Sequence, residues 1–429
     1  MYRWRCSYIR PNVLITTDSG AAGGSLTACT LFANTISACT DNYTTINDYL
    51  QIGAKTKIST IKTTGSTITP EIYESVVLGE ANKIIGKGKL HTTIAGGYGN
   101  MVYSGRNNSG TIIQPDKNFM GAPIESELQA SVGSIIGGGY QNKVKLSNYS
   151  GIFAGYNNLV TGSTFSIIAG GTTNKISGSS EASIVGGVSN QVINSEYGFI
   201  GGGETNLITA GTNSSIVAGD SNKVLDTTSS TIGGGGQNTL SGTTNSTIAG
   251  GSQSIILDAT DAVIAGGKKN TIKGPISRFS FIGGGNVNII DNSYQSLVGT
   301  GDFNTIKNAT GSTIVGGQSG FISASSYSFI GTGQRNIIDN SNTAFIGTGL
   351  NNNITGNSTY SAILAGTLNV ISGSSRATIL AGGGGVGNII QDSLQGLIGT
   401  ASAAQVKDSD WGAIIGGQDE LVIAESHYS

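Results

Sequence analysis

Charge is scarce in this chain. Charged residues make up 11% of its 429 residues, and near balance between the signs leaves a net charge of −2. No basic footprint is present for nucleic acid or an anionic membrane surface, so neither is expected as a partner. The only two histidines, His91 and His427, are too few for a histidine-based metal site or a catalytic triad. Cysteine is nearly absent too. Cys6, Cys29 and Cys39 are odd in number and lack CxxC spacing, which argues against a disulfide framework or a zinc centre. Free thiols are expected, with a Cys29–Cys39 pair or an inter-chain bond left open. No apolar run is long enough to span a bilayer as a helix. Residues 1–10 are basic, but no apolar stretch follows them, so a standard signal peptide is not evident. Nor is a C-terminal coiled coil or membrane-anchoring region evident.

Sustained helical periodicity is also missing, and no glycine run is followed by the GK[ST] of a phosphate loop. What the chain has instead is glycine, 68 residues of it. Nine fall at one unbroken spacing of sixteen: Gly139, Gly155, Gly171, Gly187, Gly203, Gly219, Gly235, Gly251 and Gly267. The beat continues through Gly285, Gly301, Gly317, Gly333, Gly349, Gly366, Gly382, Ala401 and Gly417, making eighteen anchors. Weaker copies precede them around Gly79 and Gly97. A short fixed period means a stacked fold in which each copy buries its apolar face only against its neighbours.

Two aliphatic ranks divide each copy. Three residues before every anchor stands isoleucine, as at Ile136, Ile168, Ile200, Ile232, Ile264, Ile314 and Ile346, with Val298 the one exception. Five residues after the anchor stands a second aliphatic, such as Val144, Ile176 or Leu240. The ranks are eight apart, so each coil has two halves, each with room for one short strand and a tight turn. A three-sided coil would need three inward ranks. Ile and Val favour a pleated surface, and the glycines suit turns rather than helices. The fold class expected is therefore all-β, a two-sided parallel β-solenoid or β-roll of sixteen-residue coils.

Three residues after the anchor, thirteen of the eighteen copies carry asparagine, including Asn142, Asn158, Asn174, Asn190, Asn206, Asn222 and Asn238. Asparagine tolerates left-handed backbone and suits a repeated turn, and stacked amides can form a ladder along the axis. Five residues before the anchor stands only Ser, Ala or Gly, which makes the interior narrow. The first strand is apolar or small on both faces, as in Phe199-Ile200 and Phe281-Ile282. The second is more often polar outward, as in Asn174-Lys175-Ile176. Strands apolar on both faces are covered on both faces, and the simplest cover is another copy of the chain.

Domain boundaries follow the beat. Residues 1–71 lack the repeat and read as an attachment or entry region. Residues 72–102 hold the first two coils, 103–128 read as an inserted loop containing Pro115 and Pro123, and 129–429 hold the regular array of eighteen coils. No catalytic constellation stands out. Asp258 and Asp261 are near in sequence, as are Glu196 and Glu204, but neither pair recurs or accompanies a second catalytic residue type. Calcium-binding nonapeptide repeats need an aspartate in each turn, which the array lacks. A flat threonine-rich ice-binding face is disfavoured because Thr231, Thr247 and Thr313 alternate with Phe, Val and Leu at one repeat position. Neither cofactor nor metal is expected, and no enzymatic activity.

Copies such as Ser166-Ile167-Ile168-Ala169-Gly170-Gly171-Thr172-Thr173-Asn174-Lys175-Ile176 resemble repeats in the shafts of bacteriophage tail fibres, notably from phages of Bacteroidetes. They are more distantly similar to the head repeats of trimeric autotransporter adhesins, where a shorter repeat forms a left-handed parallel β-roll in a homotrimer. The resemblance covers roughly residues 72–102 and 129–424. It implies a homotrimeric fibre located on a virion or outside the cell, attached to a particle or surface protein and reaching a host receptor or glycan. Neither family supplies a binding motif that maps onto particular residues here. The alternative it leaves open is a bacterial surface adhesin or extracellular filament subunit. At ~4.8 Å per stacked coil, eighteen coils give a shaft of roughly 85 Å.

Overall fold

A computed structural model describes residues 132–382 and 385–423, and, upstream, the strands that lie between Thr60 and Met120. All of the described regular structure is β. The chain winds as a parallel β-solenoid, and alternate strands along the sequence join two different sheets of 22 strands each. The first sheet holds the strand of each coil that precedes the anchor, such as Ile167–Ile168, Ser183–Ile184 and Phe199–Ile200. The second holds the strand that follows it, such as Lys175–Ser177 and Gln191–Ile193. Every pairing is parallel and joins one coil to the next, so that Ile168 stands beside Ile184 and Ile176 beside Val192.

The two-sided cross-section follows from where the strands stop. Between the sheets the backbone still pairs, but through single residues: Tyr156 with Thr172 at one corner, Thr164 with Ser180 at the other. At each corner successive amides point to opposite neighbours. Tyr156 N–H donates to Gly171 O of the next coil, while Asn157 N–H donates back to Tyr140 O of the previous one. Reversing the amide within one residue requires left-handed backbone, and Asn157 has φ 54°. Each regular coil carries such a residue at four places, the glycine anchor among them.

Positive φ alone does not demand glycine here, since Thr173, Val287 and Phe165 adopt it as well. The anchor is glycine for a further reason. A Cβ on Gly139 would overlap the carbonyl oxygen of Gly155 in the next coil and stand 2.6 Å from Asn142 Nδ2. Ala401 occupies the anchor where the chain instead runs extended through Gln395–Ser402.

The core is one residue thick. Ile136, Ile168, Ile200, Ile232, Ile264, Ile314 and Ile346 are fully buried, as are the partners opposite them on the second sheet, Val144 to Ile354. They form a single continuous apolar column. Two-residue strands would be unstable alone; here each is held by the coil above and the coil below.

The ladder reaches further upstream than the glycine beat. Thr60–Lys62 pairs with Ile72–Val77, and Thr67–Ile68 with Lys83–Gly86, so coiling begins inside the region read as a separate N-terminal part. The segment 103–128, expected to protrude as a loop, also contributes to both sheets. Ser109–Ile112 joins the first between Gly88–Ile94 and Val132–Ile136, and Phe119–Met120 joins the second between Met101–Ser104 and Lys143–Lys145. Parallel pairing needs only extended backbone, so it persists where glycine and asparagine marks lapse. Cys6, Cys29, Cys39 and His427 lie outside the described residues.

Candidate functional surface

Inside the solenoid, side-chain amides and hydroxyls tie coil to coil. Asn190 is buried, and its Nδ2 donates to Gly186 O of its own coil at 3.0 Å and to Gly203 O of the next at 2.9 Å. Its Oδ1 accepts from Asn206 N–H at 3.0 Å. Asn158, Asn174, Asn206, Asn222 and Asn238 are buried at the same place and repeat the scheme. Asn142 likewise donates to Gly138 O and Gly155 O. The asparagine ladder thus runs from amide to backbone, with direct amide–amide bonds only at Asn142–Asn158 and Asn352–Asn369 among the described residues. Asparagine does not itself supply the left-handed corner, which belongs to the residue before it, such as Gln141 or Thr173.

Two serine ladders complete the interior. Ser166 Oγ, five residues before its anchor, donates to Thr164 O at 3.0 Å and accepts from Ala182 N–H at 3.2 Å. Eight residues after the anchor lies a rank that the periodic reading missed: Ser147, Ser163, Ser179 and Ser195, all buried. Ser163 Oγ donates to Thr161 O and accepts from Ser179 N–H at 3.1 Å. The signal was in the sequence as a recurring serine, but serine is common in turns and draws no notice beside glycine. These hydroxyls satisfy corner amides that water cannot reach.

The two outer faces differ. Lys143 and Lys223 are exposed on the second sheet, and Lys273 there pairs with Asp291 of the next coil at 3.4 Å. The first sheet turns Ile167, Val185, Phe199, Val217, Phe281 and Phe345 outward, all exposed or half-buried. Phe329 and Phe345 stack there with centroids 5.2 Å apart. Aromatics also cluster at the adjoining corner, where Tyr149 stacks on Phe165 at 5.2 Å and Tyr327 and Tyr360 are about two-thirds exposed.

The acidic pairs do not converge. Glu196 and Glu204 sit on opposite corner ladders, beside Ser180 and Val188 respectively. Asp258 and Asp261 occupy left-handed corner positions, Asp258 exposed. Among the described residues no three His, Cys, Asp or Glu side chains gather to hold a metal ion, and no helix is long and apolar enough to cross a membrane. The sequence matches no family model and no curated protein.

Proposed function

We propose that the chain is the shaft of a homotrimeric structural and adhesive fibre, carried by a virus or phage-tail-like particle and holding a receptor-contacting surface away from it. The observation that supports this reading is the uninterrupted ladder of 22 coils, with a continuous apolar column from Ile136 to Ile414 flanked by three polar ranks. Such a build gives stiffness and reach, about 100 Å at ~4.8 Å per coil. The apolar outward face of the first sheet supports self-association, because a stripe that long exceeds the few hundred Å2 of contiguous apolar surface usual on a monomer. The likeness of the repeats to tail-fibre shafts favours three copies and a virion location. A bacterial surface adhesin is the second reading, favoured by the likeness to adhesin head repeats.

Antibodies against the purified chain test the assignment. Decoration of projecting fibres on particles recovered from the producing culture is the expected result. Decoration of the cell envelope alone would assign the chain to the adhesin reading instead.

A further inference from the structure

The outward residues of the first sheet obey a rule that the second sheet ignores. In every coil two side chains flank the buried isoleucine on the outside, four and two residues before the anchor. Across the eighteen coils from residue 132 onward, the first of these is Val, Leu, Ile or Phe nine times and the second seven times, yet never both in one coil. Independent placement would put large beside large in about three or four coils, against the alternation of large and small that interdigitating layers need. Phe199 is answered by Gly201, Phe281 by Gly283, Phe345 by Gly347; reversed, Gly151 is answered by Phe153 and Ser183 by Val185. None of these positions carries a charge, and the only polar groups among them are serine and threonine hydroxyls.

Crowding within one chain accounts for the glycines: a Cβ on Gly201, Gly283 or Gly347 would overlap a carbonyl oxygen of the next coil and stand 3.2–3.4 Å from the ring of Phe199, Phe281 or Phe345. The reversed coils, such as Ser183 before Val185, keep the rule where no such glycine sets it. The second sheet has the same two-residue spacing around its own buried aliphatic, and there Ile255 stands beside Leu257, and Lys143 beside Lys145. That face also carries lysine and aspartate, as at Lys273 and Asp291.

We infer that the first-sheet face packs against the same face of further copies of this chain, parallel and in register, each large side chain seated over the small one of the same coil in its neighbour. Rotation about an axis parallel to the rod keeps every coil at its own height. It brings the position four before the anchor in one copy against the position two before it in the next. That arrangement calls for compensation inside a single coil; an antiparallel or staggered copy would set different coils against each other. A strip of about 85 Å by 10 Å, from ~4.8 Å per coil and roughly three residues of strand, is some 800 Å2 per copy, the size of a specific protein interface. The inference rests on the self-associating fibre proposed above and adds which face assembles and in what register.

Three variants test it on the full chain, with circular dichroism checking that each keeps its β structure. Ser183→Phe with Ser215→Phe places large beside large in two coils and should raise the concentration for half-assembly at least tenfold. Adding Val185→Gly and Val217→Gly restores one large residue per coil and should return assembly to within about threefold of the original. Thr247→Lys on this face should weaken assembly, whereas Thr239→Lys on the second sheet should not. Native mass spectrometry across a dilution series reads all of them. An assembled chain indifferent to the phenylalanines and to Thr247→Lys overturns the face assignment and leaves the fibre standing. Failure of the glycine changes to restore assembly overturns the in-register pairing. A parent chain that is monomeric overturns the self-associating fibre itself.

Discussion

Ser254 shows what the asparagine rank does by lacking it. It stands where Asn238 and Asn270 stand in the adjoining coils; it accepts nothing from Asn270 N–H, and its buried Oγ has no hydrogen-bond partner. Ser254→Asn would supply donors to Gly250 O and Gly267 O and an acceptor for Asn270 N–H, as Asn238 does for its own neighbours. A net gain of about 1–2 kcal/mol is expected, because buried groups left unpaired cost roughly that much each. A raised denaturation midpoint checks it; a lowered one would mean that the slot around Ser254 has closed on the smaller side chain. The core rank makes the complementary case. Ile264→Asp puts a carboxylate into a column with no polar partner and should cost several kcal/mol. Lys175→Asp, on the second sheet's outer side, should change stability by less than about 0.5 kcal/mol. Thermal melts of the two variants that coincide would contradict the burial assigned to Ile264.

Strands and corners are the next scale. Left-handed corners occupied by β-branched residues carry a local cost that stacking overrides. Val287 has φ 57° at a place where other coils use Asn157 and Asn351. Val287→Asn should stabilise by about 1 kcal/mol, since this backbone costs asparagine less than valine. Chemical denaturation reads it, and a loss of stability would show that the valine side chain contributes more by packing than its backbone costs. This scale also shows what the sequence could and could not tell. The isoleucine ranks are legible because period sixteen repeats unbroken from Ile136 to Ile264 and resumes after each insertion of one to three residues as far as Ile414, with Val298 the one substitute. Asn142 and its successors are equally visible as a rank, but their task is not: a buried amide bonding to backbone and an exposed turn amide have the same spelling. The corner residues themselves escape notice because they vary freely, Thr173 in one coil and Glu181 or Phe279 elsewhere. What they share is a backbone angle imposed by neighbouring coils. The coils at Thr60–Lys62 and Ser109–Ile112 were hidden for the same reason, since backbone pairing leaves no required side chain to read.

For the whole molecule, length is a count of coils. Insertions leave that count intact: the two residues added around Pro275 bulge outward at one corner, with Ile276 exposed. Ser277 then recovers the serine rank by accepting from Ser293 N–H at 3.1 Å. The converse is that whole coils are removable. Deleting residues 140–267 joins Gly139 to Lys268 in register and takes out eight coils, from the one anchored at Gly155 to the one anchored at Gly267. Electron microscopy of the purified parent and deletion proteins should show rods of equal width, the deletion shorter by roughly 38 Å at ~4.8 Å per coil. Rods of unchanged length, or a deletion protein that no longer forms a rod, would contradict a shaft built from interchangeable stacked coils.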